Sequence, residues 1–152
     1  NLDEQRLNWR DAIRSYEEIV RIHPDNEEAY IALFRLYPRV GKPHLGVNAL
    51  DKLIRTYLKK RDIKRVLSLL ENLIEEDPQN IPLRARITQL YTKLGQREKA
   101  ISHLDVLGDL QLEAGRKKAA IKTIETILTL NPPDRNAYAD LYRELSGHEP
   151  PA

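Results

Sequence analysis

The sequence predicts an all-α fold of about eight antiparallel helices, and three observations carry the prediction. Apolar residues recur at steps of three and four along nearly the whole chain, the spacing of one helix face. Prolines and single glycines punctuate these stretches at helix-length intervals. The prolines that stop three of them, Pro24, Pro78 and Pro132, stand 54 residues apart, so one structural unit is used more than once.

The clearest stretch, Leu104–Pro132, reads as a helical hairpin. Leu104, Leu107 and Gln111 step along a first helix, Gly115-Arg116 breaks it, and Ala120, Ile124, Ile127 and Leu128 form the apolar face of a second. Asn131-Pro132 ends the pair, because the residue before a proline is pushed out of the helical conformation and the proline has no N–H to donate. Gly108 and Ala120, like Gly46 earlier, place small side chains where two helices are expected to cross closely.

Taken in order, Trp9–His23 carries Ala12, Tyr16, Ile19 and Val20 on one face, and reads as the second helix of a repeat whose first helix is missing or lies partly in residues 1–8. Glu27–Val40 groups Tyr30, Leu33, Phe34 and Tyr37, and Gly41 closes it. Pro38 is expected to bend or end that helix near Phe34–Pro38, whereas Thr92 at the matching place leaves Ile81–Leu94 regular. Pro43 suits a first helical turn, and the helix it opens runs to about Lys60 with Gly46, Leu50, Leu53, Tyr57 and Leu58 inward. Asp62 reads as the N-cap of a helix whose face is Val66, Leu67, Leu70, Leu73 and Ile74, stopped by Asp77-Pro78. Ile81–Leu94 turns Ile87, Leu90 and Tyr91 inward, and Arg97–Ala114 does the same with Ala100, Leu104, Leu107 and Leu112. Arg116–Leu130 follows, then Asn136–Leu145 with Tyr138, Leu141, Tyr142 and Leu145. Ser146-Gly147 ends that helix, and residues 148–152 read as a disordered tail.

At an offset of 54, with no gap, Asn26 aligns with Asn80, Leu36-Tyr37 with Leu90-Tyr91, Gly41 with Gly95, Leu50-Asp51 with Leu104-Asp105, and Glu71 with Glu125. The chain is therefore read as a single domain over 1–147 containing two three-helix modules, 24–78 and 78–132. Read backwards from the prolines, Leu104, Leu107, Gly108, Ala120, Ile124, Ile127 and Pro132 fall on the signature positions of a 34-residue two-helix repeat. Leu50, Leu53, Tyr57, Val66, Leu70, Leu73 and Pro78 do the same one module earlier. Read forwards, Tyr30, Leu33, Tyr37, Gly41, Gly46 and Leu50 match, as do Ile87, Tyr91, Gly95, Ala100 and Leu104. On these residues the chain resembles the tetratricopeptide-repeat family over nearly its whole length. The middle helix of each module serves as the second helix of one repeat and the first of the next. At the signature's fourth position, Trp or Tyr in the family, this chain has Leu50, Arg84 or Leu104 in three of five places.

The resemblance implies a right-handed α-solenoid of antiparallel helix pairs that acts as a protein-interaction scaffold. A single pair cannot bury its apolar face alone, so stacking builds a shared core and an extended surface. In the family the first helix of each pair lines a concave groove that binds peptides or protein surfaces. By that analogy Ile31, Arg35 and Arg39 face the groove from Glu27–Val40, and Ala85, Gln89 and Lys93 from Ile81–Leu94. The Lys and Asn set with which some members clamp a chaperone's terminal carboxylate is not reproduced at Ile31/Arg35 or Ala85/Gln89. The partner-binding residues expected are Arg35, Arg39, Gln89 and Lys93, completed by Arg55 and Lys59 on the middle helix, with an acidic peptide or protein surface as the partner.

Composition bounds the other classes. A chain of 152 residues with 41% hydrophobic and 32% charged residues suits a water-exposed helical protein built on aliphatics. With 25 basic and 23 acidic residues the net charge is only +2, which gives no global pull towards nucleic acid or anionic lipid. There is no cysteine, so no disulfide, thiol chemistry or cysteine metal site, and a cytoplasmic location is the expectation. No apolar run reaches the roughly 18 residues of a membrane span. The chain opens at Asn1, without Met, in mid-repeat, which reads as a segment of a longer protein.

Candidate chemistry is thin. His23, His44, His103 and His148 form no metal-site motif and are expected to be solvated or to lie at helix ends. The glycines stand singly, with no phosphate loop or nucleophile elbow, so no enzyme and no cofactor is expected. The densest charge run, Arg55–Arg65, offers a second functional reading, a nucleic-acid-binding α-solenoid. Tyr57 is its one aromatic and is expected in the core, which argues against a stacking platform for single strands. A third reading is self-assembly through open repeat ends.

Overall fold

The computed structural model describes residues 1–151. Among them are eight α-helices, one 3-10 turn and no strand. The helices are α1 (Leu2–Ile22), α2 (Glu27–Leu36), α3 (Pro43–Lys59), α4 (Ile63–Glu76), α5 (Ile81–Lys93), α6 (Arg97–Glu113), α7 (Lys117–Thr129) and α8 (Arg135–Ser146). The chain packs as two compact units, Asn1–Val66 and the part from Leu67 onward, so the division falls inside α4.

In the first unit α1 packs on α2 and α2 on α3. Of the two alternatives for the first helix of the opening repeat, residues 1–8 do not hold it: residues 2–8 are the opening turns of α1, which is one uninterrupted helix. No breaker separates them from Trp9, and Asn1 starts the helix with a capping box in which its side chain accepts from the Glu4 N–H at 2.9 Å. The core is made by Tyr30, Leu33 and Phe34 of α2 against Leu50, Leu53 and Tyr57 of α3. Leu58, expected inward, is an exposed residue near the end of α3, where Ile54 is buried instead.

Pro38 acts as its chemistry requires. Helix α2 stops at Leu36, and Tyr37–Val40 tightens into a 3-10 turn closed by Gly41 at φ 77°. The matching α5, with Thr92 in place of Pro38, is a continuous helix. Asp62 does cap α4, accepting from the Arg65 N–H at 3.3 Å. Arg61 before it sits at φ 58°, in the left-handed turn that Gly115 occupies one module later at φ 75°.

In the second unit α5 packs on α6, α6 on α7 and α7 on α8. The unit's part of α4 buries Leu69, Leu70, Leu73 and Ile74, a stripe at steps of three and four. Leu104, Leu107 and Ile127 form one apolar cluster, and Ile124, Leu128, Ala139 and Tyr142 another. Beyond α8, Arg143 pairs with Glu149 at 2.8 Å. Ala152, the last residue of the expected tail, lies outside the described residues.

The 54-residue period recurs in the hydrogen bonds. Asn26 and Asn80 cap α2 and α5, accepting from Ala29 and Leu83 at 2.9 and 3.1 Å. Tyr30 donates to the carbonyl of Pro24 at 2.8 Å, and Arg84, its counterpart, donates to the carbonyl of Pro78 at 2.8 Å. The departure from the family signature at Arg84 thus keeps the signature residue's bond with a different donor. Glu17, Glu71 and Glu125 each accept a tyrosine hydroxyl, from Tyr37, Tyr91 and Tyr142 respectively. The third donor is shifted because Leu145 stands where the period would place a tyrosine.

Candidate functional site

The second unit carries a groove of about 530 Å³ between α5, α6 and α7. Helix α5 lines one wall with Ala85, Thr88, Gln89, Thr92 and Lys93, one face at helical spacing. Lys122, Thr123 and Thr126 of α7 line the other, and Leu104 and Leu107 form an apolar floor backed by Ile127. Gly108 faces α7 across this floor, where an added Cβ would meet only the Thr123 methyl, at an ordinary contact distance of 3.7 Å. The Thr123 hydroxyl donates to Gln111 Oε1 at 2.6 Å, which fixes that amide in the groove wall. The Thr88 hydroxyl is buried without a hydrogen-bond partner. The charged lining residues are Lys93 and Lys122, and no carboxylate is among them.

Of the six residues expected to bind a partner, Gln89 and Lys93 share this groove. Within the first unit the other four are not brought together. Arg35 lines a hollow of about 500 Å³ beside Glu27 and Glu28. Arg39 lies over the Trp9 ring, 5.3 Å from its centre. Arg55 lines a larger cavity with Glu17 and Tyr37, and Lys59 is exposed at the last residue of α3. The α7 wall, above all Lys122, is legible as the i, i+3, i+4, i+7 series Ala119, Lys122, Thr123, Thr126, but the family analogy points only to first helices.

The basic run Arg55–Arg65 is partly tied down. Arg65 donates to Glu27 Oε2 at 2.9 Å and lies 4.9 Å over the Tyr57 ring, while Lys60 is 3.9 Å from Asp25. Tyr57 is buried and donates to Glu27 at 2.7 Å; burial, then the Glu27 carboxylate, push its hydroxyl up to about 12. Burial opposes the charge on Glu27, but the bonds from Tyr57 and Arg65 outweigh it and hold the carboxyl below its ordinary value.

A second polar cluster lies between α4, α5 and α6. Contrary to the expectation that it would be solvated or lie at a helix end, His103 sits in mid-α6 with its side chain 14% exposed. The reason lies in its neighbours. Arg84 Nη1 donates to His103 Nδ1 at 3.1 Å, His103 Nε2 faces Glu71 Oε1 at 3.3 Å, and the ring stacks on Tyr91 at 5.7 Å and 15°. A guanidinium only donates, so Nδ1 accepts and the proton sits on Nε2, aimed at Glu71. Tyr91 donates to the same Glu71 oxygen at 2.7 Å; burial, then Glu71, push its hydroxyl up to about 12.

Burial, with the Arg84 charge, holds His103 below its ordinary value of 6.5 against the pull of Glu71. The unfolded chain therefore takes up a proton that the folded unit refuses. Stability is whole above about pH 6.5 and falls as the pH drops below it. Urea unfolding at about pH 7.5 and pH 5.5 should show this loss, and His103→Gln should lose less between the two. An equal loss in both proteins would remove His103 from the account.

Two family models described as tetratricopeptide repeat match the chain, over residues 57–109 and 104–134, together just over half of it. A crystal structure of a thermophilic TPR protein from Thermus thermophilus is similar at 19% identity, over 92% of this chain and 91% of that one, with a TM-score of 0.34. No curated protein matches significantly. No helix among the described residues is long and apolar enough to cross a membrane.

Proposed function

The chain belongs to the tetratricopeptide-repeat family, and from that premise we propose that it is a protein-interaction module whose second-unit groove receives an extended, acidic peptide segment. Repeats of this family generally mediate protein–protein interaction. The observation that carries the finer reading is the lining of the groove. It has an apolar floor at Leu104 and Leu107, hydroxyl and amide walls, and two lysines with no carboxylate. An apolar floor takes alternate side chains of an extended segment, and Lys93 and Lys122 favour carboxylates along it.

The test is binding of two extended peptides of equal length that differ only in Glu against Lys. The acidic peptide should bind more tightly and depend on salt. Lys93→Glu with Lys122→Glu should weaken it at least about tenfold, or 1.4 kcal/mol. The matched control is Arg35→Glu with Arg39→Glu in the first unit. If the control loses the peptide while the groove variant keeps it, the site belongs to the first unit instead.

A further inference from the structure

We propose that the first unit holds a binding site for a histidine side chain of a partner protein, in the cavity that Ala49 leaves where His103 fills the second unit. The two units share one local frame. Glu17 corresponds to Glu71, Tyr37 to Tyr91, Tyr30 to Arg84 and Ala49 to His103, all at an offset of 54. The frame's bonds correspond as well. Tyr37 donates to Glu17 as Tyr91 does to Glu71, and Tyr30 holds the Pro24 carbonyl as Arg84 holds that of Pro78. In the second unit the His103 ring completes the frame, stacked on Tyr91 with Nε2 towards Glu71.

In the first unit a methyl group stands in its place. Ala49 is 7% exposed and lines a cavity of about 680 Å³ together with Glu17, Tyr30 and Tyr37. That volume exceeds an imidazole ring, so it admits the backbone that carries one. The chemistry left open is specific. Glu17 accepts one hydroxyl and keeps lone pairs for an N–H, and Tyr37 offers a face for a flat ring. Lys52 and Arg55 line the same cavity and are donors within it that could take the part Arg84 plays for His103, while Arg21, also in the lining, donates to Glu18. Glu17 and Asp51 both line the cavity and favour a side chain that brings an N–H over a neutral aliphatic one, which has none to offer. The site belongs to the first unit and does not rest on the groove reading.

The probe is Nα-acetylhistidine N-methylamide, titrated into the full chain and followed by amide NMR. Shifts are expected at Glu17, Tyr37 and Ala49, and the leucine analogue should produce none. Ala49→His supplies the ring internally and Ala49→Leu fills the space, so each should weaken the probe at least tenfold. The reciprocal variant, His103→Ala, opens the counterpart and should gain probe-dependent shifts at Glu71 and Tyr91. Should Ala49→His fail to fold, Ala49→Leu and His103→Ala decide the matter. The proposal is overturned by absent shifts, by shifts that survive filling of position 49, or by His103→Ala gaining none. Tighter binding of the arginine analogue would overturn the assignment to histidine in favour of a guanidinium.

Discussion

Replacing Arg84 with methionine should destabilise the second unit by about 2–4 kcal/mol, because it strands two acceptors at roughly 1–3 kcal/mol each. These are the Pro78 carbonyl and His103 Nδ1, held at 2.8 and 3.1 Å. Methionine keeps an apolar stem, so packing is largely preserved, and it removes Arg84 Nε, a buried nitrogen without a partner. That removal places the loss towards the lower end of the range. Arg84→Tyr should recover the bond to Pro78, since Tyr30 makes the same bond to Pro24 from the same spacing. Hydrogen exchange of the α5 and α6 amides reads the effect locally, ahead of global unfolding. Wild-type protection in Arg84→Met would mean that the network contributes nothing to stability.

Gly46→Ala should destabilise the first unit by about 1–3 kcal/mol as an overpacked crossing, although alanine is the better helix former by roughly 0.5–1 kcal/mol. A Cβ at Gly46 would lie 2.8 Å from the Phe34 carbonyl oxygen and 3.3 Å from its Cα. Both are backbone atoms of α2, so the helices themselves must part. The contrast is Gly108→Ala, where the new methyl would meet only the Thr123 methyl at 3.7 Å. There the helix propensity should prevail and stability should hold or rise. Thermal unfolding of the two variants side by side is the measurement. Equal melting temperatures would show that α2 and α3 can separate without loss.

These expectations separate two kinds of information. Gly46 is legible as a close crossing because a small residue on the buried face of a helix has few other uses. How close the crossing is cannot be read from the chain. The second module places Ala100 at the same register, fully buried, so the same frame accepts a methyl there. The break at Pro38, the cap at Asp62 and the stops at Pro24, Pro78 and Pro132 are all readable, since each follows from the backbone chemistry of one or two residues.

Half of the groove is readable as well. Gln89 and Lys93 lie on the face that the repeat pattern assigns to α5, and both line it. Lys122 belongs to a helical series that the sequence shows, but that this series lines a groove depends on where α7 lies against α5. Arg35, Arg39 and Arg55 share a charge but not a setting: one sits by Glu27 and Glu28, one over Trp9, one by Glu17. Charge and spacing alone do not distinguish these settings.

The helices, their ends and the 54-residue period follow from the residues alone, because helical periodicity, caps and prolines act within a few residues of themselves. Which polar groups meet across helices follows only from the packing of the chain. Glu71 and His103 are 32 residues apart, and Arg84 and His103 are 19 apart. Their pairing depends on interhelical distance and on the cost of burying a polar group without a partner, neither of which is written in local pattern. The same reason leaves position 49 in the lining of a cavity and position 103 filled by a ring, though a single period relates the two.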